Sequence, residues 1–248
     1  MATANVQSSL PDDPARRALA GVVAAAPDLV GLQEWKLARR HLLRESGSVG
    51  LAAYVGVRLL RRGSGDYVWS TPLLGRCAVG ARADRFALVD SRSRLLSWPG
   101  RAPKGQRRLG IEPPRLATVA TYRDRRGGPP VSLVDFHLSP GVQSDGRYRA
   151  DRPALVARHR AEVRRLQRLV DALLARGHVV YAVGDSNFDG FRLGGLTSGW
   201  EGREDHPGTL GPRRKVDDVF SSLGPATSVT LLASDSDHRA VVVEHRRA

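Results

Sequence analysis

Cysteine is almost absent from the sequence, which holds Cys77 alone among 248 residues. An intramolecular disulfide is therefore excluded, and no cluster of cysteines and histidines is present that could form a zinc site. No motif surrounds Cys77, so we expect it to be a small residue of the core.

Long apolar runs are also missing. No stretch is long enough to span a membrane, and no basic segment followed by an apolar stretch stands at the N-terminus. We therefore expect a cytoplasmic protein without a membrane span. Hydrophobic residues still make up 41% of the chain, which is enough for a substantial core. With no composition break and no internal repeat, we expect a single domain over residues 1–248.

Lysine is scarce, occurring only at positions 36, 104 and 215, so arginine supplies nearly all of the formal net charge of +14. Two explanations remain open. A polyanionic partner such as nucleic acid would favour so basic a chain. A coding bias toward Arg, Ala, Gly and Val would enrich arginine without any partner, although bias alone does not require the excess of base over acid.

Strand patterns predominate along the chain, and helices are few. Helical spacing is predicted for the segment before Pro27, for residues 36–46 and for residues 151–176, which have the longest apolar stripe. The predicted strands cover 3–7, 28–33, 49–57, 67–70, 76–81, 86–89, 115–123, 131–136, 179–183, 216–221, 227–232 and 239–244. The spacing of those between 49 and 89 resembles antiparallel pairing.

Residues 91–114 differ from their surroundings because they combine glycine and proline breaks with many basic residues. We expect a long exposed basic loop within the domain. Its cations could follow a phosphate backbone while its tryptophan stacks on a base; the alternative is an arginine-rich loop without a ligand. The candidate substrate-binding residues are Arg92, Arg94, Trp98, Arg101, Lys104, Arg107 and Arg108.

The most informative strand is the apolar run at 179–183, which ends at Gly184 and is followed by Asp185 and Asn187. Polar groups just past the carboxyl end of a buried strand occupy the edge where open α/β sheets place their chemistry. Taken alone, this segment could also be a simple Asx-rich turn, since Gly, Asp, Ser and Asn all form turns.

Further polar residues stand where predicted strands begin or end. Each alone has a structural explanation, such as an exposed strand end or a core histidine. Together they fit the cleavage of a phosphate ester, which needs a metal ion, a base for water and donors for the phosphate oxygens. The residues are Asn5, Glu34, His137, Asp185, Asn187, Asp217, Asp237 and His238.

In chain order, the motifs around these residues resemble those of the endonuclease/exonuclease/phosphatase family, which includes DNase I-like nucleases. The resemblance covers essentially the whole chain and implies an α/β fold, a four-layer α/β/β/α sandwich with two packed mixed β-sheets. The motifs are ANVQ at Asn5, LVGLQEW at Gln33 and Glu34, VDFHL at His137, GDSN at Asp185 and Asn187, KVDDVF at Asp217, and SDHRAV at Asp237 and His238.

The resemblance implies a metal site. Glu34 would be the principal ligand, with Asn5 and Asp237 in or beside the shell of the ion. Oxygen ligands of this kind suit Mg²⁺, a hard cation, and Mn²⁺ could replace it.

It also implies catalytic roles. Asp185 would orient or deprotonate the attacking water, and Asn187 would hold the phosphate or that water. His238 would contact the scissile phosphate, with Asp217 as its orienting carboxylate. His137 would stabilise the transition state or assist the leaving group.

Three departures from the family pattern matter. The usual GDFN-like block reads GDSN here, with Phe188 one place after Asn187. The segment Val216-Asp217-Asp218 leaves Asp218 as a rival to Asp217 for the role of histidine partner. The strand before Asn5 is very short, which could leave it poorly anchored.

The sequence also matches, in part, the pattern of a different class of enzyme. Gly-Asp-Ser at 184–186, together with Asp235 and His238, mimics the GDSL-type serine esterases. That reading would make Ser186 a nucleophile deep in the chain and would leave Glu34 and His137 unexplained.

We therefore expect a Mg²⁺-dependent hydrolase of phosphate esters, foremost a phosphodiesterase (nuclease) that cleaves DNA or RNA. The alternatives are a phosphomonoesterase or a lipid or inositol phosphate phosphoesterase of the same fold. In another class, the chain could be a catalytically silent nucleic-acid-binding relative. No obligate protein partner is evident.

Overall fold

A computed structural model describes residues 1–52, 65–101 and 111–245. Its helices are α1 (Asp12–Ala24), α2 (Arg40–Leu43), which follows a 3-10 turn at Leu37–Arg39, and α3 (Pro153–Leu174). Its strands are β1 (Ala2–Asn5), β2 (Leu29–Gln33), β3 (Gly47–Ala52), β4 (Tyr67–Pro72), β5 (Ala78–Arg82), β6 (Phe86–Ser97), β7 (Gly100–Arg101), β8 (Ile111–Glu112), β9 (Arg115–Asp124), β10 (Val131–His137), β11 (Gln143–Ser144), β12 (Arg147–Tyr148), β13 (Val179–Asp185), β14 (Thr197–Ser198), β15 (Asp217–Ser221), β16 (Ser228–Leu232) and β17 (Ala240–Glu244).

Most of these strands form two mixed sheets. The first sheet has the order β16-β17-β1-β2-β5-β4-β3, and the second has the order β14-β15-β13-β10-β9-β6. Parallel pairs join β1 to β2, β3 to β4 and β10 to β13, and the other pairs are antiparallel. The remaining short strands pair as β7-β8 and β11-β12.

The sheets stack face to face with a helix on each outer side. Helix α1 packs Leu19 and Val22 against the first sheet, and α3 packs Leu166 and Val170 against the second. A third apolar cluster fills the space between the sheets. This arrangement confirms the predicted α/β/β/α sandwich. It follows from strands such as β2 and β10, which are buried on both faces and therefore need a covering layer on each.

The sheets approach closely just below the edge where β2 and β10 end. A Cβ atom on Gly31 would lie 2.3 Å from Cγ2 of Val183 in the opposite sheet, so only glycine fits there. Next to it, Nε2 of Gln33 donates to Oδ1 of Asp135 at 2.5 Å, a polar link between the sheets. Burial raises the pKa of Asp135 well above its usual value, which favours the neutral form of this carboxyl.

The expectation of a loop over residues 91–114 is wrong for residues 91–97, which continue strand β6 alongside β9. Ser91 and Ser93 are buried, while Arg92 is exposed. The alternation of serine and arginine is therefore a strand pattern with small polar residues facing inward. Lys104, Arg107 and Arg108 lie outside the described residues.

Two other expectations need correction. Strands β3 and β4 are parallel, not antiparallel. Strand β1 is short but firmly held, because β17 and β2 pair with its two edges and all its residues are buried.

Cys77 is buried, as expected for a core residue. No helix within the described ranges combines the length and the apolarity needed to cross a membrane.

Candidate active site

Seven of the eight polar residues singled out at strand ends meet at one edge of the sandwich. Strands β1, β2, β10 and β13 all point their carboxyl ends toward this edge, bringing Asn5, Glu34, His137 and Asp185 there. Strand β15 runs antiparallel to β13 and pairs its first residue, Asp217, with the end of β13. The edge thus collects residues from both sheets.

Asp185 is placed by the glycine before it. Gly184 has a φ of 150°, and a Cβ at this position would lie 1.9 Å from the carbonyl oxygen of Phe136. Only glycine allows β13 to approach β10 this closely, and the approach sets Asp185 beside His137. The glycine of the GDSN motif is therefore required by packing.

The Asp185 carboxylate is the centre of the site and is almost fully buried. Its Oδ1 accepts a hydrogen bond from the backbone N–H of Asn187 at 2.7 Å, and its Oδ2 accepts one from Nδ2 of Asn5 at 3.0 Å. The same Oδ2 lies 3.5 Å from Nε2 of His137 and 4.0 Å from Nε2 of His238. One carboxylate therefore contacts groups from four segments of the chain.

Burial raises the pKa of Asp185, and the nearby Asp217 carboxylate raises it further, against the opposing effect of the two histidines. A carboxylate whose pKa lies closer to neutrality is a stronger base than an exposed aspartate. The arrangement suits the removal of a proton from water.

His238 is oriented by Asp217, whose Oδ2 lies 2.7 Å from Nδ1 of the ring. Burial opposes the charged imidazolium, but the hydrogen bond and charge of Asp217 outweigh it and raise the pKa of His238 to about 9. Asp218 points elsewhere, accepting hydrogen bonds from Oγ of Ser198 and N of Gly199. The geometry thus pairs Asp217, and not Asp218, with the histidine.

The pKa of His137 is shifted in the opposite direction from that of His238. Burial and the charge of Arg115 lower the pKa of His137 to about 4, although Asp185 and Glu34 act in the other direction. His137 is therefore neutral at physiological pH and can donate a hydrogen bond without adding charge.

Glu34 follows β2 in a left-handed conformation, with a φ of 57°. Its Oε2 accepts a hydrogen bond from the N–H of Ser8 at 2.7 Å. Burial works against its ionisation. His137, which is protonated at the low pH where Glu34 titrates, the bonds from Ser8 and the charge of Arg76 together lower the pKa of Glu34 to about 2. Asn187, with a φ of 52°, shares this unusual conformation, and such strain is often concentrated at functional sites.

Sequence reasoning missed Arg39, a buried arginine that holds the turn after β1. Its guanidinium donates to the carbonyl oxygens of Val6 at 3.3 Å and Ser8 at 3.2 Å, and also to that of Leu10. The turn it holds includes Ser8, which bonds Glu34. In the sequence, Arg39 and Arg40 resemble part of a solvated helix face, which gives no signal of this role.

Two further charged residues were missed. Glu162 on α3 is fully buried and accepts hydrogen bonds from N and Oγ of Ser139, both at 2.8 Å, which ties the helix to the segment after His137. Arg115 begins β9, and its Nε is buried without a hydrogen-bond partner among the described residues. The sequence did offer one indication for Arg115, because it is a polar residue at the end of a predicted strand.

Some predicted site residues lie apart from the centre. Asp237 is exposed and accepts a hydrogen bond from Oγ of Ser236 at 3.3 Å, although its charge helps to raise the pKa of His238. Arg92 forms an ion pair with Asp90 at 2.7 Å. Arg94 lies beside α3, Trp98 is 70% exposed, and Arg101 is exposed in β7.

A metal ion could be held at this edge. Ligand atoms of Asp185, Asp217 and His238 lie within 4.8 Å of one another. Glu34 is anionic and interacts electrostatically with His137, which places it close to this group. The donors are mainly carboxylate and amide oxygens, which fit a hard divalent cation.

The serine esterase alternative conflicts with this geometry. The Ser186 hydroxyl is buried and hydrogen-bonds to the carbonyl oxygens of Phe188 and Val216, both at 2.9 Å. Asp235 pairs with Arg17 at 2.8 Å and not with His238. Ser186 has neither the exposure nor the histidine contact of a nucleophile.

Ser186→Ala is therefore expected to retain kcat within severalfold while lowering the free energy of unfolding by about 1–2 kcal/mol, because buried acceptors lose their donor. Phosphoesterase assays and urea denaturation would measure the two effects. A loss of kcat above a hundredfold in a folded variant would reinstate Ser186 as a nucleophile.

Comparison with known proteins agrees with this site. A family model described as "Endonuclease/Exonuclease/phosphatase family" matches residues 2–238. No curated protein matches the chain significantly in sequence.

Solved structures show the same fold. A family protein from Bacteroides thetaiotaomicron is 17% identical, with a TM-score of 0.63 over 98% of this chain and 95% of that one. A mannosyl-6-phosphatase from the same organism is 16% identical, with a TM-score of 0.64 over 98% and 97%. The D. rerio TDP2 complexed with a single-strand DNA product is 16% identical, with a TM-score of 0.63 over 98% and 96%. The chain belongs to the endonuclease/exonuclease/phosphatase family and is a phosphoesterase by that membership.

Proposed function

We propose that this protein is a Mg²⁺-dependent phosphodiesterase that hydrolyses DNA or RNA by attack of water on phosphorus. The observation that best supports the proposal is the buried Asp185 carboxylate, which lies between a neutral His137 and a protonated His238. Such an arrangement provides a base, a neutral hydrogen-bond donor and a fixed positive charge within one cluster.

Glu34 is the residue best suited to hold the ion. It is ionised over the whole physiological pH range, since its pKa is lowered to about 2. His238 is less suited, because a histidine must be neutral to bind a metal and this one is protonated below about pH 9. Asn5 would support the ion from beside Glu34, and Asp237, which lies apart from the centre, would act from next to its shell. A bound Mg²⁺ would neutralise charge on the phosphate and polarise it toward attack.

The protein groups then divide the remaining work. Asp185, fixed by the N–H of Asn187 and by Asn5, would accept the proton of the attacking water. The imidazolium of His238, held by Asp217, would stabilise negative charge that develops on the phosphate oxygens. His137 would donate a hydrogen bond to the phosphate oxygens as well.

The proposal of a nucleic-acid substrate rests on the net charge of the chain. A net charge of +14 favours a polyanion over a singly phosphorylated small molecule. Among similar structures, one is described as binding single-strand DNA product and another as a mannosyl-6-phosphatase, so the fold accommodates both substrate classes.

A substrate panel tests the proposal. The panel holds plasmid DNA, single-stranded DNA, abasic duplex, RNA, bis-p-nitrophenyl phosphate, an inositol phosphate and mannose 6-phosphate, each with Mg²⁺ and with EDTA. We expect cleavage of nucleic acid with Mg²⁺, its loss in EDTA, and a weaker apparent affinity for Mg²⁺ in Glu34→Gln.

The alternatives give different results. Turnover of only the phosphate monoesters would replace the nuclease by a phosphomonoesterase of the same family. Nucleic-acid binding without any turnover would favour the catalytically silent relative. Cleavage that persists in EDTA would contradict the metal requirement.

A further inference from the structure

A shallow groove of about 310 Å³ runs between α3 and β6 on the outer face of the second sheet. Three arginines line it, Arg94 from the strand and Arg165 and Arg168 from the helix, and Leu95 and Leu169 complete the lining. We call this the α3–β6 groove. Arg168 is exposed, and Arg94 and Arg165 are half-buried.

The three positive charges of the groove are not neutralised by the protein. In the part of the chain that the structure describes, no carboxylate lies within ion-pair distance of Arg94, Arg165 or Arg168, whereas Arg85 and Arg149 are paired with aspartates. The guanidinium of Arg165 donates to the carbonyl oxygen of Leu96, which fixes it at the groove without neutralising its charge. Like charges held together in this way repel each other, and an anionic ligand would relieve the repulsion.

The groove lies close to the active-site edge. Strand β6 continues from Arg94 to Ser97, and Ser97 is paired with Arg115, whose charge lowers the pKa of His137. Strand β9 separates β6 from β10, so the groove lies about two strand spacings, or ~10 Å, to the side of His137 and about three, or ~14 Å, from Asp185 on β13. A small phosphate ester at the active site could not extend that far, but a nucleic-acid strand of several nucleotides could, since its phosphates recur along the chain.

We propose that the α3–β6 groove is an accessory site for the phosphodiester backbone of a nucleic acid. This inference rests on the proposed function, which it deepens by making the substrate a polymer. Arg94, Arg165 and Arg168 contact phosphates outside the scissile one and contribute to affinity without touching the reacting atoms. Contacts of this kind position the strand and carry no sequence information.

Binding measured without metal tests the groove separately from catalysis. Fluorescence anisotropy in EDTA would follow binding of labelled single-stranded DNA and RNA of about 30 nucleotides to the wild type and to Arg165→Ala/Arg168→Ala. The control is Arg40→Ala/Arg176→Ala, which removes the same charge at exposed arginines that have no ion pair among the described residues. Arg168→Ala alone is a second variant that spares the bond to Leu96.

We expect the groove variant to bind about tenfold more weakly and the control to bind nearly as well as the wild type. The loss of two phosphate contacts should flatten the slope of the logarithm of the binding constant against the logarithm of the salt concentration by about 1.4. The loss of affinity relative to the wild type should therefore be about sevenfold larger at 50 mM than at 200 mM salt. Thermal melting would confirm that both variants are folded. Failure of the nuclease activity would leave this binding result unaffected.

Three results would overturn the inference. Equal weakening by the groove and control variants would show that only the net charge matters. Unchanged binding in both the double variant and Arg168→Ala would show that the groove does not contact the strand. A groove variant that loses binding to phosphatidylserine-containing vesicles, but not to either oligonucleotide, would assign the groove to a membrane surface.

Discussion

Asp185→Asn is expected to lower kcat by about 10²–10⁴-fold, the range associated with loss of a positioned general base. Asparagine has nearly the shape of aspartate, and the amide can keep the hydrogen bond from the N–H of Asn187. It cannot accept a proton from water at neutral pH. Steady-state assays on the substrate identified by the panel would measure the loss, which should appear in kcat more than in KM.

The same substitution is expected to preserve or raise stability. Because burial and Asp217 raise the pKa of Asp185 in the folded state, its ionisation costs stability above the unfolded pKa of about 4. The cost is present at neutral pH and disappears as the pH falls. The difference in Tm between Asp185→Asn and the wild type, measured in EDTA, should therefore be larger at pH 7 than at pH 4.

Asp218→Asn provides the matched control. Asp218 is equally buried beside Asp217, but its carboxylate serves Ser198, Gly199 and Val219 and not the histidines. We expect the folded fraction of this variant to keep the kcat of the wild type. If Asp218→Asn were as inactive as Asp185→Asn at equal folded fraction, the assignment of the base would be wrong.

His238→Ala is expected to produce a second large loss, again about 10²–10⁴-fold in kcat, because the transition state loses a fixed positive charge. The wild type should lose activity as the pH rises through about 9, where His238 gives up its proton. A pH–rate profile with chemistry rate-limiting would show this basic limb. In Asp217→Asn the charge that raises the histidine pKa is removed, so the limb should move to lower pH.

The free energy of unfolding should also depend on the titration of His238. The pKa of His238 is raised from 6.5 to about 9 in the folded state, so its ion pair with Asp217 stabilises the protein fully below pH 6.5. That contribution is lost as the pH rises toward 9. Melting curves of the wild type in EDTA should therefore show a decline over this range that is absent from His238→Ala. A basic limb that stays near pH 9 in Asp217→Asn would refute the pairing.

Strands buried on both faces could be predicted from the sequence because their signal is local. The run at 179–183 is apolar without interruption and ends in glycine, so strand β13, the turn and Asp185 follow from a few consecutive residues. The polar residues at strand ends were recognisable for the same reason. Strand β6 was predicted too short, because alternating serine and arginine resembles a loop unless a partner strand and a covering helix are known.

The buried charged residues depended on tertiary contacts. Nothing adjacent in sequence predicts that Arg39 is almost fully buried, since its acceptors belong to the turn after β1 about 30 residues earlier. Glu162 likewise interrupts the apolar pattern of α3 and is stabilised by Ser139 and Arg158. Such residues have low burial propensity, and only a completed set of partners reverses it.

The sequence by itself determined which residue types gather at the edge of the sandwich, because each motif is written in consecutive positions at a strand end. Only the tertiary structure decided between Asp217 and Asp218. Neighbouring residues of a strand point to opposite faces, so the pairing of β15 with β13 directs one carboxylate to His238 and the other to Ser198. That register depends on contacts between distant segments, and a shift of one residue would exchange the two roles.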